Sequence, residues 1–204
     1  MEALNKALIW ITKIAYLNLL WILFTVIGII VVGIFPATAA AFTIARKWIT
    51  GDTDIGIFSN FLLAYRQSFK EANILGYVLL LFGYILYLDF LFITLAPNQY
   101  VTLLTIPFLF ILILFVLTTI YVYPVYVYYD MKVFQTLKSA FFIMLLNPLS
   151  TLTMLLGLLG ILYILWNFQG LAIFFSMGVI CVALMMPAHR AFLKIHKKQN
   201  MHIQ

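Results

Sequence analysis

Charge is scarce in this chain of 204 residues: 9% are Asp, Glu, Lys or Arg, against 66% hydrophobic. A soluble domain carries roughly a quarter charged residues. An ordinary soluble fold, a disordered tail and a nucleic-acid-binding module are therefore excluded. Cysteine is scarcer still. Cys181 stands alone inside an apolar stretch, which excludes a disulfide framework and cysteine-based metal spacing. There are six acids and three histidines, and no Gly-x-Ser-x-Gly, Walker loop, His-Glu-x-x-His or paired carboxylates at useful depth. Neither catalysis nor a cofactor is expected. The start, Met1 to Lys6, lacks the pattern of a cleaved signal peptide, because the apolar run after it is long and has no small-x-small end. The first helix is expected to be retained.

What is present is hydrophobicity interrupted by a few basic clusters. The 12 Lys and Arg group as Lys6 and Lys13; Arg46, Lys47, Arg66 and Lys70; Lys132 and Lys138; and Arg190, Lys194, Lys197 and Lys198. The intervening stretches 14–45, 71–131 and 139–189 hold none. This is the plan of an all-α, polytopic membrane helix bundle. Stretch 71–131 accommodates two crossings, about Ile74–Leu95 and Val101–Tyr126, turning at Ala96–Tyr100. Stretch 139–189 accommodates two more, Leu149–Trp166 and Leu171–Met186, turning at Asn167–Gly170. Neither turn carries Lys or Arg, so by the positive-inside rule the turns face out. The 46–70 loop, the 130–147 connector and the basic tail 191–204 then face the cytoplasm of a bacterial plasma membrane. Residues 14–45 number 32, too few for two full crossings and too many for one. A short hairpin turning near Gly28 keeps Lys6 and Lys13 inside, with Lys13 and Arg46 snorkelling to the surface. The expectation is three helical hairpins in one domain: six helices, the first pair short, both termini cytoplasmic. Five spans with the N-terminus outside is the alternative.

The hairpins resemble one another. Lys13-Ile-Ala-Tyr16, Lys70-Glu-Ala-Asn73 and Lys138-Ser-Ala-Phe141 each open an apolar stretch, and Pro36, Pro124 and Pro187 close the three stretches. A threefold unit follows, comprising about 6–50, 74–126 and 148–190, with a proline near the inner end of each returning helix. Proline removes a backbone donor and clashes with the preceding turn, so these three are candidate kinks; plain packing roles are the alternative.

Residues 54–73 form an amphipathic segment. Phe58, Phe61, Leu62, Tyr65 and Phe69 recur at helical spacing, Arg66 and Lys70 lie off that face, and Asp54 is placed to cap the helix. The segment suits a helix lying in the membrane interface or a docking surface for a partner protein. Tyr121, Tyr123, Tyr126, Tyr128 and Tyr129 suit the headgroup region, with sugar stacking as the alternative. Asp89 is the only acid within an expected span, and an intramembrane carboxylate invites a functional hypothesis. Water, protonation or a bond to Tyr84, Tyr87 or Thr94 would hold it there; reach to the outer interface is the other account. His189 reads as a surface residue, Asp130 and Lys132 as a solvated pair. Asn18, Asn73, Asn147 and Asn167 are placed to bond between helices.

The run Leu19-Leu20-Trp21, Gly33-Ile-Phe-Pro-Ala-Thr-Ala-Ala40 and Arg46-Lys47-Trp48, continued by Asp54, Phe58, Tyr65 and Phe69-Lys-Glu-Ala-Asn-Ile-Leu-Gly76, resembles the YesL-like family of bacterial integral membrane proteins. Pro124 after the tyrosine run and Asn147-Pro148 fit the same family. Members are small membrane proteins without defined catalytic or ligand residues, many encoded beside sugar-uptake ABC transporter components and glycan-degrading enzymes. The resemblance implies a non-enzymatic accessory role beside ABC importer permease subunits. A small transporter or channel, or a structural, lipid-interacting protein, are the alternatives. The lipid bilayer is the expected partner in every case, and nucleic acid in none.

Overall fold

The computed structural model describes residues 2–95 and 103–201. No strand occurs among them, and they form seven helices: α1 Glu2–Ile27, α2 Ile34–Ile49, α3 Ile57–Leu95, α4 Thr105–Tyr129, α5 Val133–Leu146, α6 Pro148–Asn167 and α7 Gln169–Met201. Five contain segments long and apolar enough to cross a membrane: Leu4–Ile27, Ile57–Leu95, Thr105–Tyr129, Pro148–Asn167 and Gln169–Ile195. The expected turn at 96–100 lies outside the described residues.

The first stretch does fold as a hairpin turning at Gly28, but its arms are unequal. The α1 arm is not short, because its 26 residues begin at Glu2 and take in both lysines. The α2 arm has 16 residues, about 24 Å at 1.5 Å per residue, less than the roughly 30 Å hydrocarbon core. The described residues thus hold five long spans and two shorter helices, α2 and α5. At the turn, a Cβ on Gly28 would lie 2.4 Å from Gly33 Cα and 2.5 Å from the Tyr65 hydroxyl, so only glycine fits. Ile29 and Ile30 take left-handed backbone, φ 58° and 50°, which costs about 1–2 kcal/mol per residue. In return, the Ile29 and Ile30 amides bond the Val26 and Thr25 carbonyls at 3.0 and 2.8 Å, satisfying the end of α1.

Composition explains why α2 sits at the centre. Ala37, Ala39, Ala40, Ala41 and Ala45 are all buried, and small side chains let neighbouring backbones approach closely. α2 packs against α1, α3, α4 and α7. By contrast, the outer part of α3 and the facing part of α4 have no such cover: Leu80, Leu81, Phe82, Phe92, Ile106 and Phe110 are all more than half exposed. That part of α3 meets α4 through pairs such as Phe90 and Phe108, 6.4 Å apart. Such an apolar, uncovered surface is what lipid-facing helices present.

The amphipathic segment and the following span are one uninterrupted helix of 39 residues, so the segment does not lie across the membrane plane as a separate element. Gly56, not Asp54, precedes α3. Asp54, with its side chain 97% exposed, instead pairs with Lys13 at 3.4 Å, a contact worth little at that exposure. The α5–α6 boundary falls at Asn147–Pro148, where proline opens a helix at no cost, and Phe168 alone separates α6 from α7. The basic tail is no separate segment as far as Met201, since α7 runs on through it.

Several contacts gather the basic clusters at one end of the molecule. Trp10 meets Trp48 edge-on at 5.6 Å, Lys13 Nζ donates to the Thr53 carbonyl at 2.8 Å, and Lys47 Nζ donates to Asn60 Oδ1. Tyr128 packs on Phe192 at 4.6 Å, which brings the ends of α4 and α7 to the same place.

Candidate functional site

At that basic end, α2, α3 and the end of α4 enclose a cavity of about 540 Å³ lined by Thr43, Arg46, Ala64, Gln67, Ser68, Glu71, Tyr126, Val127 and Asp130. Helical geometry assembles it. Ala64, Gln67, Ser68 and Glu71 follow at three- and four-residue spacing, so they share one face of α3; Thr43 and Arg46 share a face of α2. The Thr43 and Ser68 hydroxyls donate to the Ala39 and Ala64 carbonyls of their own helices, leaving the longer side chains to define the chemistry.

Arg46 does not snorkel outward as expected. Its Nη1 donates to the Val127 carbonyl, with the Tyr128 carbonyl at 3.4 Å. The last carbonyls of a helix lack intrahelical partners and carry negative partial charge, and α4 has no basic residue in its last turn. The missing cation comes from α2. Asp130 ends α4 in left-handed backbone, φ 49°, and its amide bonds the Tyr126 carbonyl at 3.1 Å. Asp130 and Lys132 are both exposed, as expected of solvated residues, but they make no ion pair among the described residues; Asp130 also lines the cavity. Tyr126 and Glu71 line the same cavity.

A second polar centre joins the first and last helices. Asn18 is fully buried. Its Nδ2 donates to the Ile173 carbonyl at 2.7 Å, and its Oδ1 accepts from the Met177 amide at 2.8 Å, the Gly178 amide at 3.2 Å and the Ser176 hydroxyl at 3.3 Å. In an ideal helix the 173 carbonyl and the 177 amide bond each other; here the Asn18 carboxamide bonds both. Gly178 makes this possible, because a Cβ there would lie 2.6 Å from the Ile14 carbonyl.

The other sequence candidates fare unevenly. Phe61 and Tyr65 are buried beneath the Phe24 ring at 5.2 and 5.1 Å, so they are core and not available to a partner. Leu62 is half-buried, while Phe58, Arg66, Phe69 and Lys70 are exposed. Phe24 of α1 thus covers the Phe61 and Tyr65 part of the apolar face. The Tyr belt is corrected likewise: Tyr121 is fully buried, its hydroxyl 3.0 Å from Thr151 Oγ1, and Tyr123 stacks on Phe42 at 5.7 Å. Pro124 and Pro187 lie inside α4 and α7. Pro36 lies in the first turn of α2, next to the outer turn and not the inner end, where a missing N–H breaks no bond; it kinks nothing. Asp89 is exposed on the outer part of α3, and Thr94 bonds the Phe90 carbonyl instead of Asp89. Asn73, Asn147 and Asn167 each bond the carbonyl four residues back, so Asn18 alone of the four joins two helices. His189 is half-buried beside the Tyr128 ring at 5.7 Å, with Nδ1 buried and unpartnered.

Glu71 and the inward role of Arg46 escaped the sequence reading. The three- and four-residue spacing of Gln67, Ser68 and Glu71 marks a polar stripe hidden beside the more conspicuous aromatic one, whereas the role of Arg46 depends on which helix ends beside α2. Comparison with known proteins adds lineage. Residues 14–90 match the family described as "Protein of unknown function, DUF624". The chain is 33% identical over 98% of its length to the "Uncharacterized protein YesL" of Bacillus subtilis (strain 168), covering 94% of that protein. It is 34% identical to the "Uncharacterized protein YteU" of the same organism, over 92% of this chain and 84% of that one. With "Uncharacterized protein YesV", also from Bacillus subtilis, it shares 33% identity over 93% and 91%. No solved structure matches it. Near-complete coverage at this identity, on an all-helical scaffold of membrane character, shows that the chain belongs to the YesL-containing DUF624 family.

Proposed function

We propose that this protein is a non-enzymatic accessory membrane protein that works beside an ABC-type carbohydrate importer, with its basic end in the cytoplasm of a bacterial cell. The observation that carries the accessory role is the uncovered apolar surface of α3 and α4, where Leu80, Leu81, Phe92 and Phe110 stand more than half exposed. A two-helix surface of this kind associates laterally by van der Waals packing with another membrane helix. The exposed Arg66 and Lys70 of α3 supply polar contacts at the cytoplasmic rim. Importer permease subunits as the partner class rest on the family resemblance. Affinity purification from native membranes in mild detergent is expected to recover such subunits. Recovery of the protein alone across several growth sugars would sink the idea.

The polar cavity favours a second reading, a small transporter in its own right. Solute flux into proteoliposomes holding only this protein would support it, and flux equal to that of empty liposomes would remove it.

A further inference from the structure

Glu71 and Asp130 stand on different helices, yet both line the cavity at the foot of α3 and α4. Neither has an ion-pair partner; among the described residues the one salt bridge is Lys13 to Asp54. The cavity's own cation is committed, since Arg46 bonds the α4 carbonyls, and those carbonyls add further negative partial charge. Both carboxylates are exposed and so reachable from outside the bundle, and among the lining residues two acids face one cation.

Depth identifies the ligand class. Glu71 lies three residues before the apolar run that opens at Ile74, and from there outward Tyr77, Leu80 and Leu81 are exposed. Tyr126 and Asp130 mark the end of the apolar α4. The cavity thus opens where two lipid-facing helices meet their charged ends, the depth of phospholipid headgroups. Lys70 and Lys132, both exposed, adjoin Glu71 and Asp130 in the chain. A primary ammonium has three donors for two acceptor-only carboxylates, and a lysine ammonium suits a phosphate as a point charge. A quaternary choline has no donor, and an anionic glycerol headgroup would set its phosphate against two carboxylates. The volume, about 540 Å³, is within the range of small-ligand pockets.

We infer that the cavity between α2, α3 and α4 binds the headgroup of an amine-bearing phospholipid, phosphatidylethanolamine in chemistry, with its ammonium on Glu71 and Asp130 and its phosphate toward Lys70 and Lys132. This site does not depend on the importer reading and stands or falls separately from it.

The test uses the full chain in nanodiscs of phosphatidylcholine, with phosphatidylethanolamine or phosphatidylglycerol added, and reads the thermal midpoint. Phosphatidylethanolamine is expected to raise it by about 2–4 °C, and Glu71→Gln and Asp130→Asn each to remove most of that rise. Asp52→Asn, an exposed acid outside the cavity, is expected to keep it. Native mass spectrometry of detergent-released protein provides a readout independent of variant stability: phosphatidylethanolamine is expected to be retained about tenfold over phosphatidylcholine. Equal midpoints and equal retention for the two lipids, or an undiminished rise in the Glu71→Gln/Asp130→Asn double variant, would overturn the site. An equal rise produced by free phosphoethanolamine in phosphatidylcholine alone would overturn the lipid as its occupant.

Discussion

Asn18 shows how much one polar side chain does inside an apolar bundle. Its carboxamide both donates and accepts, which matches one carbonyl and two amides of α7. Leucine at this position can do neither. In Asn18→Leu the cost is the lost tether, about 0.6–2 kcal/mol for a hydrogen bond between membrane helices. Asn18→Asp is expected to cost more, because an ionised carboxylate cannot donate to Ile173 and brings a charge into a buried site. Thermal unfolding in detergent should rank wild type above Asn18→Leu and Asn18→Asp lowest; an Asp variant as stable as wild type would contradict the geometry. Sequence named Asn18 as one of four interhelical candidates and had no means of ranking them. Local bonding to the carbonyl four residues back is open to any helical asparagine, and only packing against Gly178 distinguishes this one.

Helices here borrow what their own sequence withholds. No basic residue ends α4, and Arg46 of α2 serves in its place. Arg46→Ala would leave the Val127 and Tyr128 carbonyls without that donor, at about 1–3 kcal/mol. Hydrogen exchange around residues 128–132 is expected to speed up before that of the α2 core; unchanged protection there would argue that water replaces the arginine. Proline behaves by position: Pro36→Ala, in the first turn of α2, breaks no backbone bond, and because Pro36 is buried the midpoint is expected to fall by the lost packing alone, about 1 kcal/mol. Helix existence was readable from apolar run length, which is why Asn147-Pro148 and the break near Phe168 were placed well. The joining of the amphipathic segment to the next span was not, because two different periodicities met without a breaker between Phe69 and Ile74. The centrality of α2 was also missed, although its alanine run is the sequence signature of close backbone approach.

For the molecule as a whole, contacts at Trp10–Trp48 and Lys13–Thr53 put the start of α1 and the α2–α3 loop at the same end. Single cysteines at Asn5 and Asp52 should therefore react with an impermeant maleimide from one side of the membrane, and those at Ile30 and Phe168 from the other. Native Cys181 is buried and should stay silent. Labelling of positions 5 and 52 from opposite sides would refute the first hairpin. The clustering of cations carried this organisation in the sequence, since interfacial charge is sorted over the whole chain while cavity-lining charge depends on which helices become neighbours.

The bonding of Asn18 across two helices has a consequence for biogenesis. The first and last spans are made more than 140 residues apart in the chain, so α1 waits in lipid long before its partner is synthesised. On insertion α7 can satisfy its own backbone, as a lone span in hydrocarbon must. Docking of α1 then adds the bonds to Asn18, so its carboxamide leaves lipid for partners on α7. Because those partners lie at one axial position, they also check register: α1 displaced by a turn would bring an apolar side chain to Ile173 and leave the Asn18 carboxamide without them.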